Sequence, residues 1–153
     1  MQDLKMGIPV KPIAYVSYYL DVDYTPAYPF GFGLLYTEFE YTDLKISAKE
    51  ISMSELIEVS VKIKNIGDVD GEEVVQLYVR DLYGSATRPV KELKGFNKIH
   101  LNPGEEKVVV FILHTDDLAF CNKDLNITAE PGGFYLWIGG DSQSGLKTEF
   151  KIK

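Results

Sequence analysis

The chain has 153 residues, 45% apolar and 25% charged, a size and balance that suit one folded domain and exclude disorder along its whole length. A net charge of −7 with no basic cluster argues against nucleic-acid binding, which begins with phosphate neutralisation. A single cysteine, Cys121, excludes an intrachain disulfide, and two histidines, His100 and His114, leave too few soft ligands for a His/Cys metal site.

No run approaches the roughly 20 apolar residues that span a bilayer. Asp3, Lys5, Pro9, Lys11 and Pro12 break up any signal-peptide core. Taken alone, the chain is expected to be cytoplasmic or a piece of something longer.

Residues 1–35 are expected to form an extended, aromatic-rich arm. Seven of the ten tyrosines fall within the first 41 residues, with Phe30 and Phe32 among them; a disordered tail would be poor in aromatics. Prolines 9, 12, 26 and 29 prevent a continuous helix. The arm either lies on its own domain or docks on protein absent from this chain.

From residue 36 to 153 the pattern is β. Phe39, Tyr41, Leu44 and Ile46 outline a first strand with an irregularity between the pairs. Ile57 to Lys64 alternates strictly between apolar and polar residues, predicting a strand with one dry and one wet face. Asn65 to Gly71 is a turn, and Glu73 to Leu82 a strand with Val75, Leu77 and Val79 on one face. Leu93 to Leu101 is a strand expected to kink at Gly95. Asn102-Pro103-Gly104-Glu105 is a tight turn. Lys107 to Leu113 is nearly all apolar, which predicts burial on both faces. One helical turn at 116–120, a short strand at 126–130 and a turn at Pro131-Gly132-Gly133 follow. Strands at 134–138 and 146–152 complete the chain, with Leu146, Thr148, Phe150 and Ile152 on one face and Trp137 expected in the core. Seven or eight short strands with almost no helix predict an antiparallel β-sandwich of immunoglobulin or fibronectin III type.

Few residues suggest chemistry. No Gly-x-Ser-x-Gly elbow is present. Cys121 has no basic neighbour to activate it and is expected to be a passive, partly buried thiol. Asp68 to Glu72 lacks the third ligand and the terminal Glu of a calcium loop, so a solvated turn is expected. Gly31-Phe32-Gly33 lacks the Lys-Ser/Thr of a phosphate loop. Asn126-Ile127-Thr128 is a glycosylation sequon that matters only in a eukaryotic secretory pathway. A retaining glycosidase needs two carboxyl groups about 5–5.5 Å apart. The adjacent pairs Glu72-Glu73 and Asp116-Asp117 do not supply them, because strand neighbours point to opposite faces; solubility and turn capping account for both pairs.

One segment carries a family resemblance. Tyr28-Pro29-Phe30-Gly31-Phe32-Gly33-Leu34-Leu35-Tyr36-Thr37-Glu38-Phe39 resembles the Tyr-Pro-Phe-Gly-Tyr-Gly-Leu-Ser-Tyr-Thr-x-Phe junction of family 3 glycoside hydrolases, the β-glucosidase and β-xylosidase group. Further segments resemble that family in the same order: Asn65 to Asp68, Gly71 to Val79, Thr87 to Phe96, Leu101 to Glu105 and Glu130 to Phe134. Asp21, within Ser17 to Val22, matches a Ser-x-Tyr-x-Asp stretch of bacterial periplasmic-type members. Leu35 departs from the usual Ser, adding an apolar side chain. Phe32 departs from the usual Tyr, losing a hydroxyl. Cys121 stands where an aromatic residue is common.

The resemblance implies the C-terminal fibronectin III-like domain of such an enzyme. The nucleophilic Asp and the acid/base carboxylate would belong to a barrel and an α/β sandwich domain that this chain does not resemble. It implies a non-catalytic accessory role with no cofactor and no metal. Its partners would be those two catalytic domains, with a β-linked oligosaccharide reached through the parent, and neither nucleic acid nor membrane. Tyr28, Phe30, Phe32, Leu35, Tyr36 and Arg88 are the expected docking residues. The rival reading is a stand-alone carbohydrate-binding module that uses an aromatic strip. An enzyme in its own right is disfavoured because no acid/base pair can be named.

Overall fold

The computed structural model describes residues 26–153; the first 25 residues, including the stretch around Asp21, lie outside the described residues. The strict alternation from Ile57 becomes strand β3 (Leu56–Asn65), with β1 (Phe39–Ile46) and β2 (Glu50–Ile51) before it. Ile57, Val59, Val61 and Ile63 of β3 are fully buried. Each such aliphatic contributes roughly 1.5–3 kcal/mol of hydrophobic stabilisation. After the 66–70 turn come β4 (Gly71–Asp81), β5 (Glu92–Leu101) and β6 (Glu106–His114). A single 3-10 turn (Thr115–Leu118) leads to β7 (Phe120–Cys121), β8 (Ile127–Thr128), β9 (Gly132–Gly139) and β10 (Leu146–Ile152).

The strands form two facing sheets. One has the order β1-β3-β6, the other β2-β10-β9-β4-β5, and β7-β8 is a small separate ribbon. All pairings are antiparallel except β2 with β10. The β3 residues meet Val75 and Leu77 of β4, Leu136 and Ile138 of β9, and Phe150 and Ile152 of β10 in one core. The Phe134 and Phe150 rings stack there with centroids 5.2 Å apart. This is the expected β-sandwich. No helix among the described residues is long and apolar enough to cross a membrane.

Several local expectations hold for physical reasons. The first strand breaks register between Thr42 and Lys45, where Asp43 takes a φ of +54°. The β4-β5 ladder shifts register at Leu77/Tyr78, leaving Lys94 as an extra residue beside Gly95, the two-against-one pattern of a β-bulge. The 102–105 turn closes with the Glu105 N–H donating to the Asn102 carbonyl at 3.0 Å, and Gly104 takes a φ of +75°.

Other expectations are corrected. Strand β6 is not buried on both faces. Val109, Phe111 and Leu113 point into the core, while Val108, Val110 and Ile112 are exposed, because β6 is an edge strand and no described layer covers its sheet from outside. Trp137 is not a core residue. Phe134, Leu136 and Ile138 take the inner face of β9, so Tyr135 and Trp137 must point outward. Cys121 is exposed rather than partly buried. Glu73 is not a solubility residue; it is 7% exposed. Strand β2 was not anticipated.

Candidate functional site

The described part of the arm contains a tight turn. The Phe32 N–H donates to the Pro29 carbonyl at 3.0 Å, and Gly31 takes a φ of +85°. That is the third position of a type II turn, where glycine is favoured. The turn sits on the outer side of the five-stranded sheet. The Ser142 N–H donates to the Phe30 carbonyl at 2.9 Å. A Cβ on Gly31 would fall 2.3 Å from the Gln76 amide oxygen, so glycine also permits the close approach. Gln76 is itself held, accepting from the Tyr78 hydroxyl at 2.5 Å and donating to the Gly140 carbonyl.

The arm is fastened again at its far end. The Thr37 hydroxyl donates to Asn65 Oδ1 at 2.6 Å, and the Ile66 N–H donates to the Glu38 carbonyl at 2.9 Å. Asn65 is fully buried. Its amide donates to the carbonyls of Val69 and Leu101 at 2.8 and 3.1 Å, and its Oδ1 also accepts from the Gly67 N–H at 3.0 Å. One side chain thus ties the arm, the 66–70 turn and the end of β5 together.

Around and between the two anchors the arm shows apolar side chains to solvent. Leu34 is 88% and Tyr36 100% exposed, and Tyr28, Phe30, Phe32 and Leu35 are exposed as well. The Tyr28 and Phe32 rings lie 5.2 Å apart. The backbone is fixed, yet the side chains have not collapsed onto the domain. Large exposed apolar side chains grouped in one segment are candidates for an interaction surface.

Below the arm opens a cleft of about 520 Å³, lined in part by Phe32, Leu35, Tyr41, Glu73, Gly140 and Asp141. The Tyr41 hydroxyl donates to Glu73 Oε1 at 2.5 Å, joining β1 to β4 across the two sheets. Burial pushes the Glu73 carboxyl above its ordinary range, the Tyr41 hydroxyl partly offsets this, and the negative Asp141 adds to the rise. Burial and the Glu73 contact likewise push the Tyr41 phenol up. At Asp141 burial acts upward too, but the N–H groups of Ser144 and Gln143, the Ser144 hydroxyl and the positive Lys91 together outweigh it and hold the carboxyl below its usual range.

Arg88 lies apart from the arm. Its guanidinium pairs with Glu92 at 2.5 Å and sits 4.3 Å from the centre of the Phe120 ring. Glu92 also takes Lys94 at 2.9 Å, while the buried Arg88 Nε has no hydrogen-bond partner among the described residues. The outward aromatics of β9 are capped. Lys147 Nζ lies 3.2 Å from the Tyr135 ring centre, and Lys91 Nζ lies 4.4 Å from that of Trp137. With ammonium groups over these faces, the pair is not a bare strip for sugar stacking. His100 and His114 are exposed at strand ends.

Sequence reasoning missed Glu73 and Tyr41 as a pair. A signal was present, because Glu73 shares its strand parity with the buried Val75, Leu77 and Val79.

Residues 73–142 match the model of the fibronectin type III-like domain family. A putative β-xylosidase of Formosa agariphila is 46% identical over 144 residues, which are 94% of this chain and 19% of that protein. The thermostable β-glucosidase B of Acetivibrio thermocellus is 48% identical over 82% of this chain and 17% of its own. The β-glucosidase of Listeria innocua, solved in complex with glucose, superimposes with a TM-score of 0.82 at 43% identity, covering 93% of this chain and 20% of that one. The chain therefore spans about a fifth of the length of these relatives. It belongs to the fibronectin type III-like accessory domains of the family 3 glycoside hydrolases.

Proposed function

We propose that this domain acts as a docking and stabilising module, held by its arm against the catalytic barrel and α/β sandwich domains of a β-glucosidase- or β-xylosidase-like enzyme. The observation that carries the reading is the arm: a backbone pinned at Ser142 and Asn65 that presents Tyr28, Phe30, Leu34, Leu35 and Tyr36 outward. Apolar surface buried in docking contributes about 25 cal/mol per Å². Because the arm is already ordered, little further conformational entropy is lost on contact. The departures at Phe32 and Leu35 both favour an apolar contact over a hydrogen-bonded one. In this reading Arg88 acts indirectly, by shaping the loop before β5.

The test is a chimera in which this chain replaces the matching fifth of the Listeria innocua β-glucosidase. Leu34→Ser with Tyr36→Ala is expected to lower the melting temperature of the chimera by several degrees while leaving the isolated chain unchanged. Equal melting of the chimera with and without the two substitutions contradicts docking through the arm.

A further inference from the structure

The cleft under the arm holds a carboxyl group that the described part of the domain leaves incomplete. Glu73 is 7% exposed. It receives one hydrogen bond, from Tyr41, whereas an ionised carboxylate offers about four acceptor sites. Among the described residues no Lys or Arg lies within ion-pair distance of it. The other carboxylates of low exposure are matched: Glu92 by Arg88 and Lys94, and Asp141 by two backbone N–H groups. Neither Glu73 oxygen is both sealed and unpartnered; the one Tyr41 leaves free opens to the cleft, where ionisation without a counter-charge is costly and proteins ordinarily supply one.

The walls indicate what would complete it. Phe32, Leu35, Phe39 and Leu146 line the cleft with Tyr41, and Glu38, Glu72 and Asp141 add three further acidic residues. Gly140 keeps one side of the carboxylate open, since a Cβ there would sit 2.5 Å from Glu73 Oε1. An acid at the base of a largely apolar, partly aromatic cleft suits a guanidinium. That group is flat, weakly hydrated, able to stack on rings and rich in donors. An ammonium would have to shed tightly bound water to enter the same space.

Resting on the docking reading above, we infer that the cleft receives an arginine side chain of the catalytic body, with the Glu73 carboxylate as its counter-charge. The arm would then supply apolar contact area, and the cleft would fix orientation through one desolvated ion pair.

The test uses the full 153-residue chain at neutral pH and N-acetyl-arginine amide as the probe, followed by NMR at the Glu73 side-chain carboxyl and the Gly140 amide. The expected result is a saturable shift at both positions and a fall in the apparent Glu73 pKa. Binding should be at least about tenfold weaker for the citrulline analogue, which keeps the shape and loses the charge, and for Glu73→Gln. Gly140→Ala, whose methyl group would press on the Glu73 carboxylate itself, should weaken binding comparably. No shift at Glu73, or equal shifts with citrulline or in Glu73→Gln, overturns the inference and leaves Glu73 a neutral strut between the sheets. The probe needs no catalytic body, so this outcome is independent of the chimera experiment.

Discussion

Asn65 and Glu73 are both buried polar side chains, and both hold separate parts of the sandwich together. Asn65 is complete: its amide donates twice and its oxygen accepts twice, all within the domain. Glu73 has one partner and opens onto a cleft beneath exposed aromatics. A polar group that only stabilises a fold is satisfied by that fold. The half-satisfied Glu73 at the foot of an apolar surface supports the proposed docking. The same division appears along β6, where Leu113 is sealed in the core and Ile112, its neighbour in sequence, is bare.

Asn65→Ala should give the largest effect. It orphans the carbonyls of Val69 and Leu101 and the Gly67 N–H and releases Thr37, for a loss of about 3 kcal/mol. Urea unfolding measures it, and a loss under about 1 kcal/mol would mean that water replaces the side chain and that the region is not closed.

Leu113→Ala and Ile112→Thr form the next pair. The first should cost about 2.5 kcal/mol through cavity formation, and the second less than about 0.5 kcal/mol in the isolated chain. Similar costs for both would show that the outer face of β6 is covered after all.

Glu73→Gln should move stability the other way, by roughly 1 kcal/mol in favour of the folded isolated chain at neutral pH. The sign follows from the direction of the shift. Burial raises the folded-state pKa above the ordinary carboxylate value, so the folded chain retains a proton that the unfolded chain releases. This contribution is fully present below the unfolded pKa and is lost as pH rises through the folded one. Tyr41 and Asp141 face Glu73 from β1 and from the turn after β9. Asp141, whose pKa is lowered, acts in the opposite sense at lower pH. Thermal melts across the acid range should therefore show a falling limb that Glu73→Gln flattens. An unchanged limb would assign it to another group.

Lys147→Ala should give the smallest effect, about 0.5 kcal/mol, since the ammonium is exposed where it covers Tyr135 and Trp137. A gain in oligosaccharide binding by this variant would reopen the sugar-binding reading.

Much of this fold is legible from local pattern. The alternation from Ile57 to Lys64 dictates which face of β3 is dry, and Asn102-Pro103-Gly104 dictates its turn. The pattern fails where every residue is apolar. Val108 to Leu113 and Phe134 to Ile138 carry no polar marker of parity, so neither the bare face of β6 nor the outward Trp137 could be read from them. Strand β2 is two residues long and pairs in parallel with β10, a long-range contact with no local signature. The arm is visible as a run of aromatics and as a family resemblance. Its second anchor is not, because Thr37 and Asn65 are 28 residues apart. Glu73 was hidden by its own charge: its parity placed it inside, but carboxylates are ordinarily found outside.

The most direct test of the arm as a docking surface is hydroxyl-radical footprinting of Tyr28, Phe30, Leu34 and Tyr36, in the isolated chain and again in the Listeria innocua chimera. Docking requires strong labelling of all four in the isolated chain and strong protection in the chimera, with Tyr83, exposed on the 82–91 loop, labelled equally in both. Equal labelling of the four arm residues in the two proteins would contradict it.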